Sequence, residues 1–202
     1  ETAEGLCFAV VQHGAESCGD KEKALCFLRY VKRDNGQWQK VATEQANAFL
    51  KTHFPEYLYY LAVLDAHLHA VNIDRITQHH KPRRRLQEIL SNQDLDSVEQ
   101  DLYGLCILFQ QHGLDLTQAG VTGSILIGAQ QQSSDIDLVL YDRESFHRAR
   151  AITADLTDKH LLGELGDKDW QEAYARRSCT LSLQDYIWHE RRKFNKALIN
   201  GR

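Results

Sequence analysis

A chain of 202 residues, 43% of them hydrophobic, contains enough apolar side chains to build one large packed core or two small ones. The net charge of −4 and the sequence pI near 6.2 exclude a uniformly basic surface that wraps nucleic acid, and leave room only for a local basic patch. There is no run of about 18 apolar residues and no basic segment leading into an apolar one at the start, so we expect no membrane partner and a cytoplasmic location.

The cysteine and methionine contents are both informative. Five cysteines are scattered along the chain without the Cys-x-x-Cys spacing typical of zinc sites and redox dithiols, so we expect reduced thiols. The chain begins with Glu and contains no Met, although average composition would supply a few, so we expect an incomplete portion of the gene product. The cysteines are Cys7, Cys18, Cys26, Cys106 and Cys179.

The first third of the chain has the composition of short strands separated by turns. Leu6 to Val11 and Ala24 to Val31 are rich in β-branched and aromatic residues, with a Gly-containing, charged link from Gly14 to Lys23 between them. Asp34-Asn35-Gly36 predicts a tight turn before a further strand from Gln37 to Val41. Together these segments predict a small antiparallel meander.

A helix and another extended segment follow the meander. Thr43 is a suitable N-cap for a helix that reaches about His53, where Pro55 stops it. From Leu64 to Val71 the residues alternate in polarity, which favours a half-buried strand. Its apolar side would carry Leu64, Ala66, Leu68 and Ala70, and its polar side Asp65, His67 and His69.

A polar break, Ser91 to Asp96, is our expected domain boundary. A short helix beginning near Asn72 or Asp74 is interrupted by Pro82, and Arg83 to Leu90 forms another before the break. We therefore expect two domains, residues 1–94 and residues 95–202.

The second region begins with an amphipathic helix. Ser97-x-x-Gln100 matches a capping box, and an apolar stripe from Val98 to Phe109 leads to Gly113, which ends the helix. Shorter elements then follow, and the remainder of the chain is predicted to be helical, with Ser182 as N-cap of the last helix. The predicted elements are a strand at 119–122, a helical turn at 124–128, a strand at 136–141, and helices at 144–159, 168–177 and 183–200.

One group of residues in this region has the composition and spacing of a catalytic site. Gly123-Ser124 is followed, after ten residues, by Asp135-Ile136-Asp137 within an apolar run. Two aspartates two positions apart on a strand leave the same face, where they can ligate metal ions side by side. Magnesium is the natural candidate, because it is usually held by one or two carboxylates together with substrate phosphates. Gly123 allows close backbone approach to a phosphate, and Ser124 offers a hydroxyl and an amide at a helix start.

These motifs resemble the active-site signature of the DNA polymerase beta-type nucleotidyltransferase superfamily. The resemblance covers Val98 to Asp142 well, on Gly120-Val121-Thr122-Gly123-Ser124-Ile125-Leu126-Ile127-Gly128 and Ser134-Asp135-Ile136-Asp137-Leu138-Val139. A looser similarity to uncharacterised prokaryotic proteins with this core includes Pro55-Glu56-Tyr57-Leu58, residues 65–71 and residues 189–195.

The resemblance implies both a fold and an activity. The fold is α+β, with a polymerase beta-like core of a small mixed sheet and helices, preceded by a small α/β domain that recognises the acceptor. The activity is magnesium-dependent transfer of a nucleoside monophosphate from an NTP to a hydroxyl. Asp135 and Asp137 would be catalytic and bind two Mg²⁺ ions, while Gly123 and Ser124 would bind the nucleotide.

The superfamily's full site has a third carboxylate on a neighbouring strand, and no acid here matches it. Asp142 lies five positions beyond Asp137, so on a regular strand it points to the opposite face. The remaining acids lie at predicted helix starts or in loops, where N-capping explains them equally well. We therefore expect this strand to follow Arg202, which would leave weak metal binding and little transfer in these residues. Those other acids are Glu144, Glu164, Asp167, Asp169 and Asp185.

Several alternatives remain open. The acceptor is RNA, a protein hydroxyl or a small molecule, and a non-catalytic nucleotide-binding or regulatory module with the same fold is the rival hypothesis. For the group Asp65, His67 and His69, we favour a polar strand face without structural metal over a metal site. For the basic run Lys81 to Arg85, we favour a solvated helix start over a phosphate-binding site. The cations at residues 189–193 either contact phosphates or only stabilise the C-terminal half of a helix by interacting with its dipole.

Overall fold

A computed structural model describes residues 1–18, 21–177 and 179–202, with side chains at all of these except residues 12–18 and 21. The described chain is α+β and divides into two compact units, Glu1–His80 and Lys81–Arg202. This division falls before the boundary expected at residue 94. The reason is that the helix after His80 buries Leu86 and Ile89 in the core of the second unit.

The first unit is built on a five-stranded antiparallel sheet with the order β1-β2-β5-β4, in which β3 also pairs with β2. The predicted link from Gly14 to Lys23 is wrong in its described part, because both long strands continue through it, paired as far as Cys18 and Lys21. Ladder hydrogen bonds satisfy the backbone there whatever the polarity of the side chains. Gly19 and Asp20 lie outside the described residues. The strands are β1 (Leu6–Cys18), β2 (Lys21–Lys32), β3 (Trp38–Lys40), β4 (Leu58–Leu61) and β5 (Ala66–Asn72).

The turn and the helix predicted in the first unit are confirmed. Gly36 has a φ of +79°, and the Asn35 side chain accepts a hydrogen bond from the Gln37 amide at 3.0 Å, which closes the turn before β3. Helix α1 spans Thr43–His53. Its N-cap is Ala42 rather than Thr43, and a side-chain oxygen of Gln45 accepts from the Ala42 amide at 3.2 Å.

Helix α1 packs on one face of this sheet. It contributes Ala46 and Leu50, both fully buried, to a core that it shares with strand residues. A second, smaller apolar cluster lies around Leu25, Leu61 and Ala70. Because Leu25 and Ala70 are cross-strand neighbours whose side chains alternate with those facing α1, this cluster belongs to the opposite face. The strand and loop residues facing α1 are Leu6, Cys26, Leu28, Tyr57 and Val71.

The second unit surrounds a two-stranded antiparallel sheet of β6 (Ala119–Val121) and β7 (Leu138–Leu140), where a small mixed sheet was expected. Its core joins apolar residues of two helices, α2 and α3, to β6 and to the turn that follows β6. The helices are α2 (Pro82–Ser91), α3 (Ser97–Gln111), α4 (Gly123–Leu126), α5 (Arg143–Asp158), α6 (Asp167–Ala175) and α7 (Leu183–Arg191).

The start of α3 shows a capping box one residue earlier than predicted. Asp96, not Ser97, accepts from the amides of Val98 and Glu99, both at 2.9 Å, and Glu99 accepts from the Asp96 amide at 3.2 Å. The apolar stripe is confirmed, since its members are buried except for the half-buried Leu105. Ser182 is confirmed as N-cap of α7, because its hydroxyl accepts from the Asp185 amide at 3.1 Å.

The last predicted helix is too long, because α7 ends at Arg191 rather than near Asn200. Phe194 has a φ of +46°, which no α-helix accommodates. Leu198 then exchanges two backbone hydrogen bonds with Gly163, at 2.7 and 2.8 Å. The chain after α7 thus pairs with a residue more than thirty positions away and does not continue the helix.

The described cysteine side chains are free thiols. Burial raises the pKa of the Cys26 and Cys106 thiols to about 12, so neither is a reactive thiolate near neutral pH. Among the helices of the described chain, none is both long and apolar enough to cross a membrane.

Candidate active site

The Gly-Ser motif forms the first two residues of α4, in the single helical turn that follows β6. Gly123 has a φ of +67°, a conformation that residues with a Cβ rarely adopt. The next residue but one, Ile125, is fully buried and anchors the turn in the core. Because α4 is only four residues long, a helix dipole contributes little, and the turn offers a ligand mainly close backbone approach and the Ser124 hydroxyl.

The Asp-x-Asp segment lies immediately before β7, which begins at Leu138 rather than at Ile136 as predicted. The segment nevertheless lies alongside the Gly-Ser turn, because the Thr122 amide donates to the Asp137 carbonyl at 2.8 Å. Ile136 and Leu138 pack against the core, while Asp135 and Asp137 are exposed. The two aspartates thus share the solvent side of the segment, as the alternation indicated.

The two motifs meet at Gly123 and Asp137. A Cβ added to Gly123 would lie 2.7 Å from Asp137 Oδ2, closer than real Cβ contacts come. The carboxylate therefore lies directly over the glycine, in space that any other residue would occupy. The structure brings together three of the predicted site residues, Gly123, Ser124 and Asp137, and places Asp135 two positions away on the same side.

Asp135 has a cationic neighbour in this unit. Arg176, just after the end of α6, approaches Asp135 Oδ2 to 3.6 Å through its Nη1 atom. The two side chains are 67% and 74% exposed, so this ion pair adds at most about 1 kcal/mol to stability. Asp135 thus already has a protein cation, Arg176, beside the carboxylate that was expected to bind a metal ion.

The other acids considered for the site have structural roles or are exposed. Asp142 caps α5 by accepting from the Ser145 amide at 2.7 Å, a hydrogen bond that lowers the pKa of this carboxyl. Asp169, in the first turn of α6, accepts from the amide of the N-cap residue Gly166 at 2.8 Å. Within the described residues, no group of three or more His, Cys, Asp or Glu side chains is arranged to hold a metal ion. Asp135 and Asp137 still provide two exposed carboxylates. A magnesium site usually has one or two carboxylates from the protein and takes further oxygens from substrate phosphates.

A largely buried polar network connects the Gly-Ser turn to α2 and α3. Arg85 of α2 donates through Nε to the Ile125 carbonyl at 3.0 Å and forms an ion pair with Glu99 of α3. Gln130 donates to Asp96 at 2.7 Å, which ties the loop between the two motifs to the start of α3. The Arg85 and Glu99 side chains are 25% and 10% exposed. The network therefore fixes the Gly-Ser turn against both helices.

The sequence did not single out Arg85 within its basic run. Arg84 is the solvated member and pairs with Glu88 at 2.9 Å, whereas Arg83 stacks over Tyr141 at 4.0 Å. Arg85 alone turns inward. The signal was present, because Arg85 lies four residues before the buried Ile89 and therefore on the same helix face.

The last residues of the chain contact the loop before Asp135. Arg202 donates to the Ser134 carbonyl at 3.0 Å and to Asp101 of α3 at 2.9 Å. The Arg202 and Asp101 side chains are each 13% exposed. The position of the Asp-x-Asp segment thus depends on contacts with residues far away in sequence.

The Asp65, His67 and His69 group of the first unit does not have the predicted arrangement. His69 is 2% exposed, whereas His67 lies at the surface, so the expected polar outer face is wrong for His69. The Leu28 amide donates to His69 Nδ1 at 2.8 Å, so the proton is on Nε2, which donates to Asn47 Oδ1 at 2.8 Å. Both ring nitrogens are thus occupied, and burial lowers the pKa of His69.

The chain is similar to an uncharacterised protein of Methanocaldococcus jannaschii, with 29% identity over 222 aligned residues. The match includes all of this chain and 64% of that protein, so the chain spans less than two thirds of its relative's length. No protein-family model matches the chain, and no solved structure matches it.

Proposed function

We propose that the second unit is a polymerase beta-like, magnesium-dependent nucleotidyltransferase that transfers a nucleoside monophosphate from an NTP to a hydroxyl acceptor. The observation that carries the proposal is the contact between Gly123 and the Asp137 carboxylate. A phosphate-binding turn and a metal-binding pair must adjoin if one triphosphate is to touch both.

Each site residue has a role in this proposal. The Gly123 backbone and the Ser124 hydroxyl would hold triphosphate oxygens, and Asp135 and Asp137 would hold the two magnesium ions. When bound, the magnesium ions polarise the attacking hydroxyl and stabilise the departing pyrophosphate. A bond forms between the acceptor oxygen and the α-phosphorus, the α–β phosphoanhydride bond breaks, and the hydroxyl proton passes to solvent.

The test is titration of the whole chain with ATP, GTP, CTP and UTP in the presence of Mg²⁺, followed by measurement of pyrophosphate release with varied acceptors. Asp135→Asn with Asp137→Asn should abolish magnesium-dependent nucleotide binding, because asparagine removes the charge while keeping the shape. Asp158→Asn, at the exposed end of α5, is the matched control and should bind like the wild type. Unchanged binding in the double variant would refute the site.

A non-catalytic nucleotide-binding or regulatory module is the second candidate. The ion pair of Arg176 with Asp135 favours it, because a side chain of the protein then competes with metal for that carboxylate. Under this alternative, nucleotide binding persists without detectable pyrophosphate release, and Arg176→Gln raises the affinity for Mn²⁺. Under the enzymatic proposal, the chain releases pyrophosphate slowly, because no acid matched the third carboxylate, and this slow release disappears in the variant that lacks both Asp135 and Asp137 carboxylates.

A further inference from the structure

The end of α7 and the turn after it display aromatic rings among cations. Trp188 is 56% exposed and Phe194 is 48% exposed. From Trp188 to Lys196 the sequence has four Lys or Arg residues and a single acid, in a chain whose net charge is −4. We refer to Trp188, Arg191, Arg192, Lys193 and Phe194 as the C-terminal patch.

A guanidinium group stacks on the exposed indole of this patch. The Arg192 guanidinium carbon lies 3.5 Å from the centre of the Trp188 ring, one helical turn away. Planar guanidinium and aromatic surfaces are the groups on which unpaired nucleobases stack. The pair thus combines a stacking surface with a positive charge suited to phosphate.

The turn that carries Phe194 is held in a strained conformation. Its φ of +46° is unusual for a bulky residue and costs about 1–2 kcal/mol. Arg150 of α5 stabilises the turn by donating to the carbonyls of Arg192, at 3.2 Å, and of Lys193. The Phe194 ring is nevertheless at the surface, so burial of the ring does not offset the backbone strain.

The one acid in this stretch is turned away from the surface. The Glu190 side chain is only 11% exposed and forms ion pairs with Lys193 and Lys196. Its neighbours His189 and Arg191 are exposed. Glu190 balances the charge of Lys193, whereas the exposed Arg191 and Arg192 give the patch its positive charge beside the aromatic rings.

We propose that the C-terminal patch binds single-stranded nucleic acid, with Trp188 and Phe194 stacking on bases and Arg191 and Arg192 contacting phosphates. An anionic membrane fits less well, because interfacial helices bury a continuous apolar face, whereas here cations separate the rings and a guanidinium covers one of them. The inference rests on the proposed function in one respect only, that the bound strand supplies the acceptor hydroxyl.

The test is fluorescence anisotropy of a labelled single-stranded RNA of about 12 nucleotides, within the site sizes of single-strand binders, without NTP or metal. We expect Trp188→Ala to weaken binding by about 10-fold, because stacking on one aromatic residue contributes about 1–3 kcal/mol. Arg191→Gln with Arg192→Gln should weaken binding and reduce its salt dependence. Trp38→Ala in β3 and Arg84→Gln in α2 are the controls and should bind like the wild type.

The outcomes separate this inference from the proposed function. Asp135→Asn with Asp137→Asn should keep full RNA affinity, since the patch does not use these carboxylates. RNA binding without nucleotide binding would refute the proposed function and support the patch. Nucleotide binding with no RNA binding, equal RNA binding by all variants, or binding only to phosphatidylserine vesicles would overturn the patch. Because Trp188 is exposed, its variant should retain the thermal melting curve of the wild type.

Discussion

The Asp137 carboxylate lies over the backbone of Gly123, at a position where a Cβ on Gly123 would come within 2.7 Å of Oδ2. This contact joins a turn that can approach phosphates to a carboxylate that can hold a metal ion. Glycine meets two requirements here, a φ of +67° and an absent side chain.

The first prediction separates these two requirements. Gly123→Ala should lower the stability by about 1–2 kcal/mol through backbone strain. It should also weaken magnesium-dependent nucleotide binding by about 10-fold or more, because it displaces the Asp137 carboxylate. Gly128→Ala is the matched control, since Gly128 has a φ of +66° but nothing within 4 Å of an added Cβ. Urea unfolding should show similar losses for both variants, and titration should show a binding loss only for Gly123→Ala.

The second prediction concerns the ion pair beneath the turn. Arg85→Met should destabilise the protein by about 2–3 kcal/mol, because it leaves Glu99 nearly buried without its cation. Adding Glu99→Gln should recover most of this loss, since glutamine removes the charge and still accepts from the Asp96 amide. Chemical denaturation of the single and double variants measures the coupling. Arg84→Met, which breaks the exposed pair with Glu88, should cost less than about 1 kcal/mol, and an equal loss in both arginine variants would contradict the role of Arg85.

The third prediction is a pH dependence caused by His69. Burial lowers its folded-state pKa below the unfolded value of about 6.5. Protons therefore bind the unfolded state more readily, and the free energy of unfolding should fall as the pH drops from about 6.5 to the folded-state pKa. Below that pKa, His69 should cause no further loss.

Variants at the two histidines of β5 test this assignment. His69→Leu should remove this part of the pH dependence and cost about 1–3 kcal/mol at neutral pH, because the Leu28 amide loses its acceptor. His67→Gln, at the exposed neighbour, should keep the pH dependence. Nitrogen NMR should find the His69 proton on Nε2; a proton on Nδ1 would be incompatible with the Leu28 hydrogen bond.

The fourth prediction concerns the close packing of α2 on β6. A Cβ on Gly120 would lie 2.8 Å from Pro82 Cβ and 2.9 Å from the Arg83 nitrogen. Gly120→Ala should therefore cost about 1–3 kcal/mol by forcing the helix away from the strand. Gly104→Ala in α3, where the nearest atom is Ile199 Cδ1 at 3.9 Å, should be neutral or stabilise by up to about 1 kcal/mol through helix propensity. Thermal melts compare the two, and equal melting temperatures would contradict the packing argument.

Features that depend on neighbouring residues could be predicted from the amino-acid sequence alone. The extent of α1, the Asp34-Asn35-Gly36 turn and the apolar stripe of α3 follow from helical periodicity, the stop at Pro55 and turn chemistry, which act over about four residues. The cap predicted at Thr43 lies one residue earlier, at Ala42. The same short-range logic placed Asp135 and Asp137 on one side of an extended segment, because side chains alternate along it whether or not a strand is formed there.

Features that depend on distant partners could be recognised only in the folded chain. The alternating pattern assigned His69 to a polar outer face, but hydrogen bonds to Leu28 and Asn47 allow a polar ring to be buried. The composition of the basic run made Arg85 a solvated cation, but Glu99 and the Ile125 carbonyl hold it inside. The contact of Gly123 with Asp137 depends in the same way on the pairing of β6 with β7. A local pattern records propensity and periodicity, whereas the partner of a buried polar group is set by the packing of segments far apart in sequence.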